Sequence, residues 1–299
     1  GVVRMNERDG LINVLNLGAG VQSSTLLLMS IEGELPRLDH VIFADTGWEP
    51  KPVYQQMDWL EKQGVAAGIK VHRVSRGNIK DDCLRFQVNF DGDEKDRQIQ
   101  KGVTAEGKTR WGSMPLFVLG PDGERGMIRR QCTYEYKIRS IERCLRRDIL
   151  GLRPRQRAPK TVVVRRWIGI SHDERQRMRI SDENFAVNWY PLVENRITRT
   201  MCYQWLSDHG YHEAPRSACI GCPFHSNREW REMKKHRPED WREAVELDLA
   251  IRNCGGLRGQ VFLHSDRVPL DQANLWKDCD ENQLPLFSMD DECMGMCGV

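Results

Sequence analysis

Cys132, Cys219 and Cys222 are the side chains in this sequence best suited to chemistry. Cys219 and Cys222 stand in C-x-x-C spacing within Ser217-Ala218-Cys219-Ile220-Gly221-Cys222-Pro223-Phe224-His225. Two thiols two residues apart on a glycine-containing turn can clamp a metal ion or a cluster, and Cys132, directly after Arg129-Arg130-Gln131, can add a third thiolate. His225 extends the run to C-x-x-C-x-x-H spacing. A Cys3His zinc tetrahedron from Cys132, Cys219, Cys222 and His225 is therefore one expectation, and ordinary buried thiols are the bland alternative. Cys144 and Cys202 lie among apolar and aromatic residues and read as core. Near the end of the chain, Glu292-Cys293-Met294-Gly295-Met296-Cys297-Gly298 offers a different signal. There Cys293 is a candidate redox nucleophile or persulfide carrier whose reactivity depends on thiolate formation, set against a tail with incidental cysteines.

Far upstream, Gly18-Ala19-Gly20-Val21-Gln22-Ser23-Ser24 follows the apolar run Ile12–Leu17 and precedes a helical pattern. Small residues between strand and helix let backbone N–H groups approach an anion, and the helix N-terminus adds partial positive charge. Ser23 and Ser24 can donate to phosphate or sulfate oxygens, and either can cap the helix. A tight βα turn is the alternative. Asp45-Thr46-Gly47 ends the next strand, where open α/β sheets bind ligands. Arg129 and Arg130 are placed for a substrate phosphate. Arg130 and His172, beside Asp173 and Glu174, are candidate catalytic groups. Arg143, Arg146, Arg147, Arg153, Arg155, Arg157, Lys160, Arg165 and Arg166 crowd one stretch and could make a phosphate-binding stripe for a nucleic acid, or a solvated surface.

The elements that must position these residues follow from periodicity. Strands are expected at Ile12–Leu17, His40–Asp45 and Lys70–Ser75, with helices after the first two: a βαβαβ unit with a parallel sheet. Residues 76–128 are polar and glycine-rich and read as an insertion or active-site loop anchored near Trp111-Gly112 and Pro115-Leu116-Phe117. Helices are expected at Thr133–Leu150, Thr198–Gly210 and Arg228–Arg252, the last broken near Pro238. A strand is expected at Thr161–Ile170 and a compact turn at Phe262–Leu270. The fold class is α/β, a Rossmann-like, mostly parallel sheet flanked by helices, with a smaller, mainly helical cysteine-bearing region. The boundary is placed between 1–200 and 201–299.

At 299 residues, 39% hydrophobic and 29% charged, the chain has the composition of an ordinary globular protein. A net charge of +2 says little about partners. No apolar run approaches the roughly 20 residues that span a bilayer, and no secretory apolar region opens the chain, so a cytoplasmic location without membrane contact is expected. Ten cysteines in such a chain favour metal or catalytic roles over disulfides.

The glycine loop, Asp45-Thr46-Gly47, Gly169-Ile170-Ser171-His172-Asp173-Glu174-Arg175-Gln176-Arg177-Met178-Arg179 and Pro191-Leu192 before Trp205 occur in the order of a known family. Together they resemble the PP-loop adenine-nucleotide alpha-hydrolase superfamily (the HUP-type fold), in particular its phosphoadenylyl-sulfate reductase branch, over roughly residues 11–230. The resemblance implies an adenine-nucleotide pocket built from Gly18, Ala19, Gly20, Gln22, Ser23, Ser24, Asp45, Thr46, Gly169, Arg175 and Arg179. Gln22 replaces the acidic residue of ATP-cleaving members, and Ser171 replaces an arginine. Cys132, Cys219 and Cys222 are similar to three of the four thiolates that hold a [4Fe–4S] cluster in adenylyl-sulfate reductases, and Gln131 stands where the fourth would be. An open iron is what the resemblance to cluster-dependent tRNA thiolation enzymes implies.

Three functions are weighed. One is ATP-dependent thiolation of a nucleobase or other acceptor through an adenylylated intermediate, using a [4Fe–4S] cluster, a sulfur donor and Mg²⁺. Another is reduction of adenylyl sulfate or its phosphorylated form by a thiol reductant, with Cys293 as nucleophile. The third is a zinc-stapled nucleic-acid-binding or defence module without turnover. A homodimer is compatible with each.

Overall fold

The computed structural model describes residues 10–88, 114–253 and 259–277. Five parallel strands form the central sheet: β1 (Ile12–Leu17), β2 (His40–Asp45), β3 (Lys70–Ser75), β6 (Val164–Ile168) and β7 (Ala186–Trp189), in the order β3-β2-β1-β6-β7. Along each central strand the side chains alternate between two covered faces. Leu15, Leu17, Val41, Phe43 and Trp167 join one core with helices α1 (Val21–Ile31), α2 (Lys51–Ala66) and α6 (Arg199–Asp208). Val14, Ile42, Ala44 and Val164 join another on the opposite face, under Ile141, Cys144 and Leu145. Those three belong to a continuous helix, α4, made of the segments Thr133–Ile138, Arg139–Cys144 and Leu145–Ile149, whose first and last segments have wide π turns. The fold class expected from the sequence is the one observed.

The sheet reverses its winding between β1 and β6. β2 and β3 step outward on one side of β1, and β6 and β7 lie on the other. Open α/β sheets hold ligands in the crevice beyond the carboxyl ends of the strands at such a switch point. Gly18-Ala19-Gly20 after β1 and Gly169-Ile170-Ser171 after β6 meet there. Gly169 is required by the close approach: a Cβ on it would lie 3.0 Å from Ser23 N and 3.2 Å from Ser23 Cα.

Residues 76–128 are not simply a loop. They contain helix α3 (Ile79–Val88) and strands β4 (Phe117–Leu119) and β5 (Arg125–Met127), and β4 pairs with β8 (Gln260–Phe262) from near the far end of the chain. Sequence periodicity misses this because the strands are three residues long and their partner is distant. Phe262 therefore belongs to a strand rather than to a turn. Met114, Leu116 and Cys83 pack with Trp48, Tyr136, Trp230, Met233 and Leu247 in a third core. Trp230 and Met233 come from α7 (Asn227–His236), which starts on a capping box of Ser226 and Glu229. Leu247 comes from α8 (Pro238–Ala250), with proline at its first position. The expected break at Pro238 separates these two helices. Trp111 and Gly112 lie outside the described residues.

Among the described residues no helix is long and apolar enough to cross a membrane.

Candidate functional site

The loop after β1 is held tightly. Helix α1 begins at Val21 with Gly20 as its cap and no side-chain cap, so neither Ser23 nor Ser24 caps it as expected. Ser23 lies inside the first turn, where its hydroxyl accepts from Gly18 N at 3.1 Å and donates to the Gly20 carbonyl. Ser24 Oγ accepts from Gln56 Nε2. Ala19 takes the left-handed conformation (φ 56°), which costs a non-glycine residue about 1–2 kcal/mol and is held by this network. Gln22 reaches across the switch point: its amide donates to Ser171 Oγ at 3.3 Å and to Glu174 Oε2 at 2.8 Å. Arg177 pairs with the same carboxylate at 3.2 Å. Gln22, Ser171 and Glu174 are thus one buried bridge between the β1 and β6 loops.

At the end of β2, Asp45 accepts from Gly47 N at 2.7 Å and from the Tyr54 hydroxyl at 2.9 Å. It orders the turn on which Thr46 and Trp48 sit. Burial pushes the Tyr54 phenol up from its ordinary value, which keeps that donor protonated. Gly47 adopts φ 75°, and a Cβ there would lie 2.8 Å from Asn78 Cα. Trp48 then covers the C-x-x-C turn. Its carbonyl accepts from Ile220 N at 3.0 Å, and a Cβ on Gly221 would come within 2.3 Å of its ring. The only residue type that fits beneath this indole is glycine, so the strand-end turn and the cysteine turn are matched surfaces.

That match brings the cysteines together. Cys132, Cys219 and Cys222 line one chamber with Thr46, Arg130 and Lys137. Cys219 Sγ lies 3.2 Å from Thr46 Oγ1 and 3.7 Å from Glu49 Oε1, and Thr46 donates to that same carboxylate oxygen at 3.0 Å. Because the Thr46 proton is directed to Glu49, the hydroxyl offers Cys219 a lone pair. Thiol, hydroxyl and carboxylate then form a proton path. Lys137 Nζ stands 3.7 Å from Glu49 Oε1, and both side chains are buried. Lys137 and Glu49 thus place opposite charges beside the thiols, and the pair keeps the pocket near neutral. Arg130 lies over the Phe224 ring at 5.5 Å, so it is seated against the C-x-x-C segment.

The expected metal ligands do not form a ready metal site. Among the described residues no three His, Cys, Asp or Glu side chains are grouped to hold a metal ion. The chamber encloses about 20 Å³, room for about one water. A four-iron cluster does not fit this arrangement. His225 turns its Nε2 to the carbonyls of Cys219 and Ile220, at 3.0 and 3.2 Å, rather than to the thiols. Burial, followed by the nearby Arg216 charge, lowers its pKa to about 3, so it is neutral and fastens the cysteine turn by donating from Nε2.

The remaining expected residues are dispersed. His172 Nδ1 faces the Val193 carbonyl at 3.4 Å, in a 3₁₀ turn (His172–Arg177) from which Arg175 projects outward. Arg179 lines a different cleft, with Arg129, Arg130 and Arg166. Cys144 and Cys202 are buried, and burial raises both thiols to about 12. Cys83 lies in the third core, 3.6 Å from Met114 Sδ. Cys254, Cys279, Cys293 and Cys297 lie outside the described residues. Sequence reading missed Trp48, Glu49 and Lys137. Thr133, Lys137 and Ile141 recur at four-residue spacing along the buried side of α4, so a lysine on an otherwise inward stripe was the available signal.

The arrangement defines a class: a parallel α/β protein with a tightly held glycine loop at its switch point and a thiol-lined chamber beyond its second strand. No protein-family model matches the chain, and no curated protein matches it. Among solved structures it is similar to a phosphoadenylyl-sulfate (PAPS) reductase from Candida auris in its phosphate complex, at a TM-score of 0.37 and 12% identity, over 70% of this chain and 75% of that one.

Proposed function

We propose that this protein is an adenine-nucleotide-dependent enzyme that passes sulfur to an acceptor at the chamber lined by Cys132, Cys219 and Cys222. The observation that carries the reading is the convergence of these thiols with Thr46 from the β2 end, where parallel sheets present ligands. In the proposed reaction ATP adenylylates a carbonyl oxygen of the acceptor and pyrophosphate leaves. Sulfur at the hydrosulfide level, from a sulfide-type donor, is held against the thiols and attacks the activated carbon. A C–S bond forms, the C–O bond breaks, and AMP departs with the electron pair. No external oxidant is needed. Arg130 stabilises the developing phosphoryl charge, and Glu49 takes the proton from sulfur through Thr46. The glycine loop and Gly169 form the nucleotide end of the site in this reading.

The test is incubation of the protein with ATP, a sulfide donor and a pool of transfer RNA. Release of AMP with sulfur incorporation, lost in Cys219→Ala, is expected. Sulfite release from adenylyl sulfate and a thiol, without ATP turnover, would establish reduction instead. Iron and acid-labile sulfide in anaerobically purified protein would show that the chamber opens to take a cluster. Stoichiometric zinc without either turnover would establish the structural module.

A further inference from the structure

Beside the thiol chamber lies a second, larger cleft of about 660 Å³, between α4, the β6 face and the segment before β7. Arg130 and Thr133 line both spaces. None of residues 18–24 lines it, so it is separate from the glycine loop. Its volume is that of a small-ligand pocket.

The charges in this cleft are unevenly committed. Arg166 alternates with Trp167 on β6 and so points to the α4 face. It is 4% exposed, yet its side chain makes one hydrogen bond, from Nη2 to Ser181 Oγ at 2.8 Å, and its Nε is buried without a partner. Among the described residues Arg129, Arg166 and Arg179 make no ion pair. The acids are largely engaged elsewhere: Glu135 pairs with Arg76 and Arg139, and Glu183 with Arg146. Burial, then the neighbouring Glu183, raises the Glu142 carboxyl from its ordinary value. Asp182 remains. A buried guanidinium with an unused donor is costly unless a ligand completes it, and a guanidinium is matched to phosphate oxygens. Tyr134, also in the lining, is 52% exposed and presents an aromatic ring at the cleft.

We propose that this cleft binds a phosphate ester of a nucleoside, with phosphoryl oxygens on Arg129, Arg166 and Arg179 and the base against Tyr134. The binding does not depend on the thiol chemistry. Its role as the seat of the sulfur acceptor rests on the sulfur-transfer reading and on the shared wall at Arg130 and Thr133. A free mononucleotide and one unit of a single-stranded nucleic acid offer the same chemistry.

The test is equilibrium binding to the full chain of AMP, inorganic phosphate and a short fluorescein-labelled single-stranded RNA, by calorimetry and anisotropy. Arg166→Gln should weaken the two nucleotide ligands about tenfold or more, the effect of removing one strong charge-assisted contact. Because Arg166 is buried, the surface double variant Arg129→Gln/Arg179→Gln serves as a second probe with the same expectation and an unchanged melting temperature. Tyr134→Ala should weaken both nucleotide ligands about fivefold or more and leave inorganic phosphate unchanged. RNA binding much tighter than AMP assigns the site to a polymer, and equal binding assigns it to a free nucleotide. RNA binding that survives the double variant unchanged, or no saturable binding of RNA or AMP that the variants weaken, overturns the proposal. Alkylation of Cys219 is read separately, so loss of the cleft and failure of the thiol site are told apart.

Discussion

Cys219 Sγ lies 3.2 Å from the Thr46 hydroxyl, and that hydroxyl donates to the buried Glu49 at 3.0 Å. Two residues 173 positions apart in sequence are thereby joined into a thiol–hydroxyl–carboxylate path. The contact exists because Trp48, two residues after Thr46, packs on Gly221 between the two cysteines.

Thr46→Val keeps the shape and removes the hydroxyl. Cys219 keeps its direct 3.7 Å contact with Glu49 but loses a hydroxyl that can turn to donate to its thiolate, so its alkylation rate at neutral pH should fall about tenfold, equivalent to about one unit in the pH–rate midpoint. Mass-spectrometric alkylation kinetics measures this. An unchanged or faster rate would show that the hydroxyl does not assist the thiol.

Gly221→Ala drives a methyl group into the Trp48 ring, which is itself buried. Overpacking of this kind costs about 1–3 kcal/mol. Urea unfolding followed by tryptophan fluorescence should show that loss. Gly123→Ala, at a glycine whose Cβ would meet nothing within 4 Å but whose φ is 83°, gauges backbone strain without the clash. A Gly221→Ala protein as stable as the parent would refute the packing argument.

Much of this fold is legible in the sequence because its first half is built from local signals. Strands β1, β2 and β3 are apolar runs or alternations bounded by glycine or loop residues, and each is observed where the sequence places it. The cysteine set is legible from spacing. The chamber's acid–base partners are not, because Glu49 and Lys137 are charged residues in buried positions and their pairing depends on α4 crossing the β2 end. The second sheet is illegible for a related reason: Phe117 and Phe262 face each other across 145 positions through strands of three residues. The glycine loop reads as an anion cradle in the sequence; Ser23 folds its hydroxyl back onto Gly18 and Gly20 within the loop, and Gln22 finds its partners only with the β6 loop in place.

Glu174→Ala removes the carboxylate that accepts from Gln22 and pairs with Arg177. Stranding these donors should cost about 1–3 kcal/mol, with Glu174→Gln milder. Denaturant titration of the two variants separates them. If both are as stable as the parent, the bridge between the β1 and β6 loops is incidental.

His225 carries a pH signature. Its folded pKa of about 3 lies below the ordinary 6.5, so the unfolded chain binds the extra proton between those values. The stabilisation is complete above about pH 6.5 and is lost as pH falls toward 3. His225→Asn should unfold with a shallower pH dependence across that window in thermal melts, apart from any constant loss. A parallel pair of curves would contradict the assignment of a neutral, buried imidazole.

The convergence of the three thiols is tested most directly by dibromobimane, which becomes strongly fluorescent only when it bridges two neighbouring sulfurs. Native protein should yield fluorescent peptides joining the Cys132 segment to the Cys219–Cys222 segment, and Cys132→Ser should abolish that product. Peptides modified singly at these residues, with no bridge to Cys132, would contradict a shared chamber and with it the proposed sulfur chemistry.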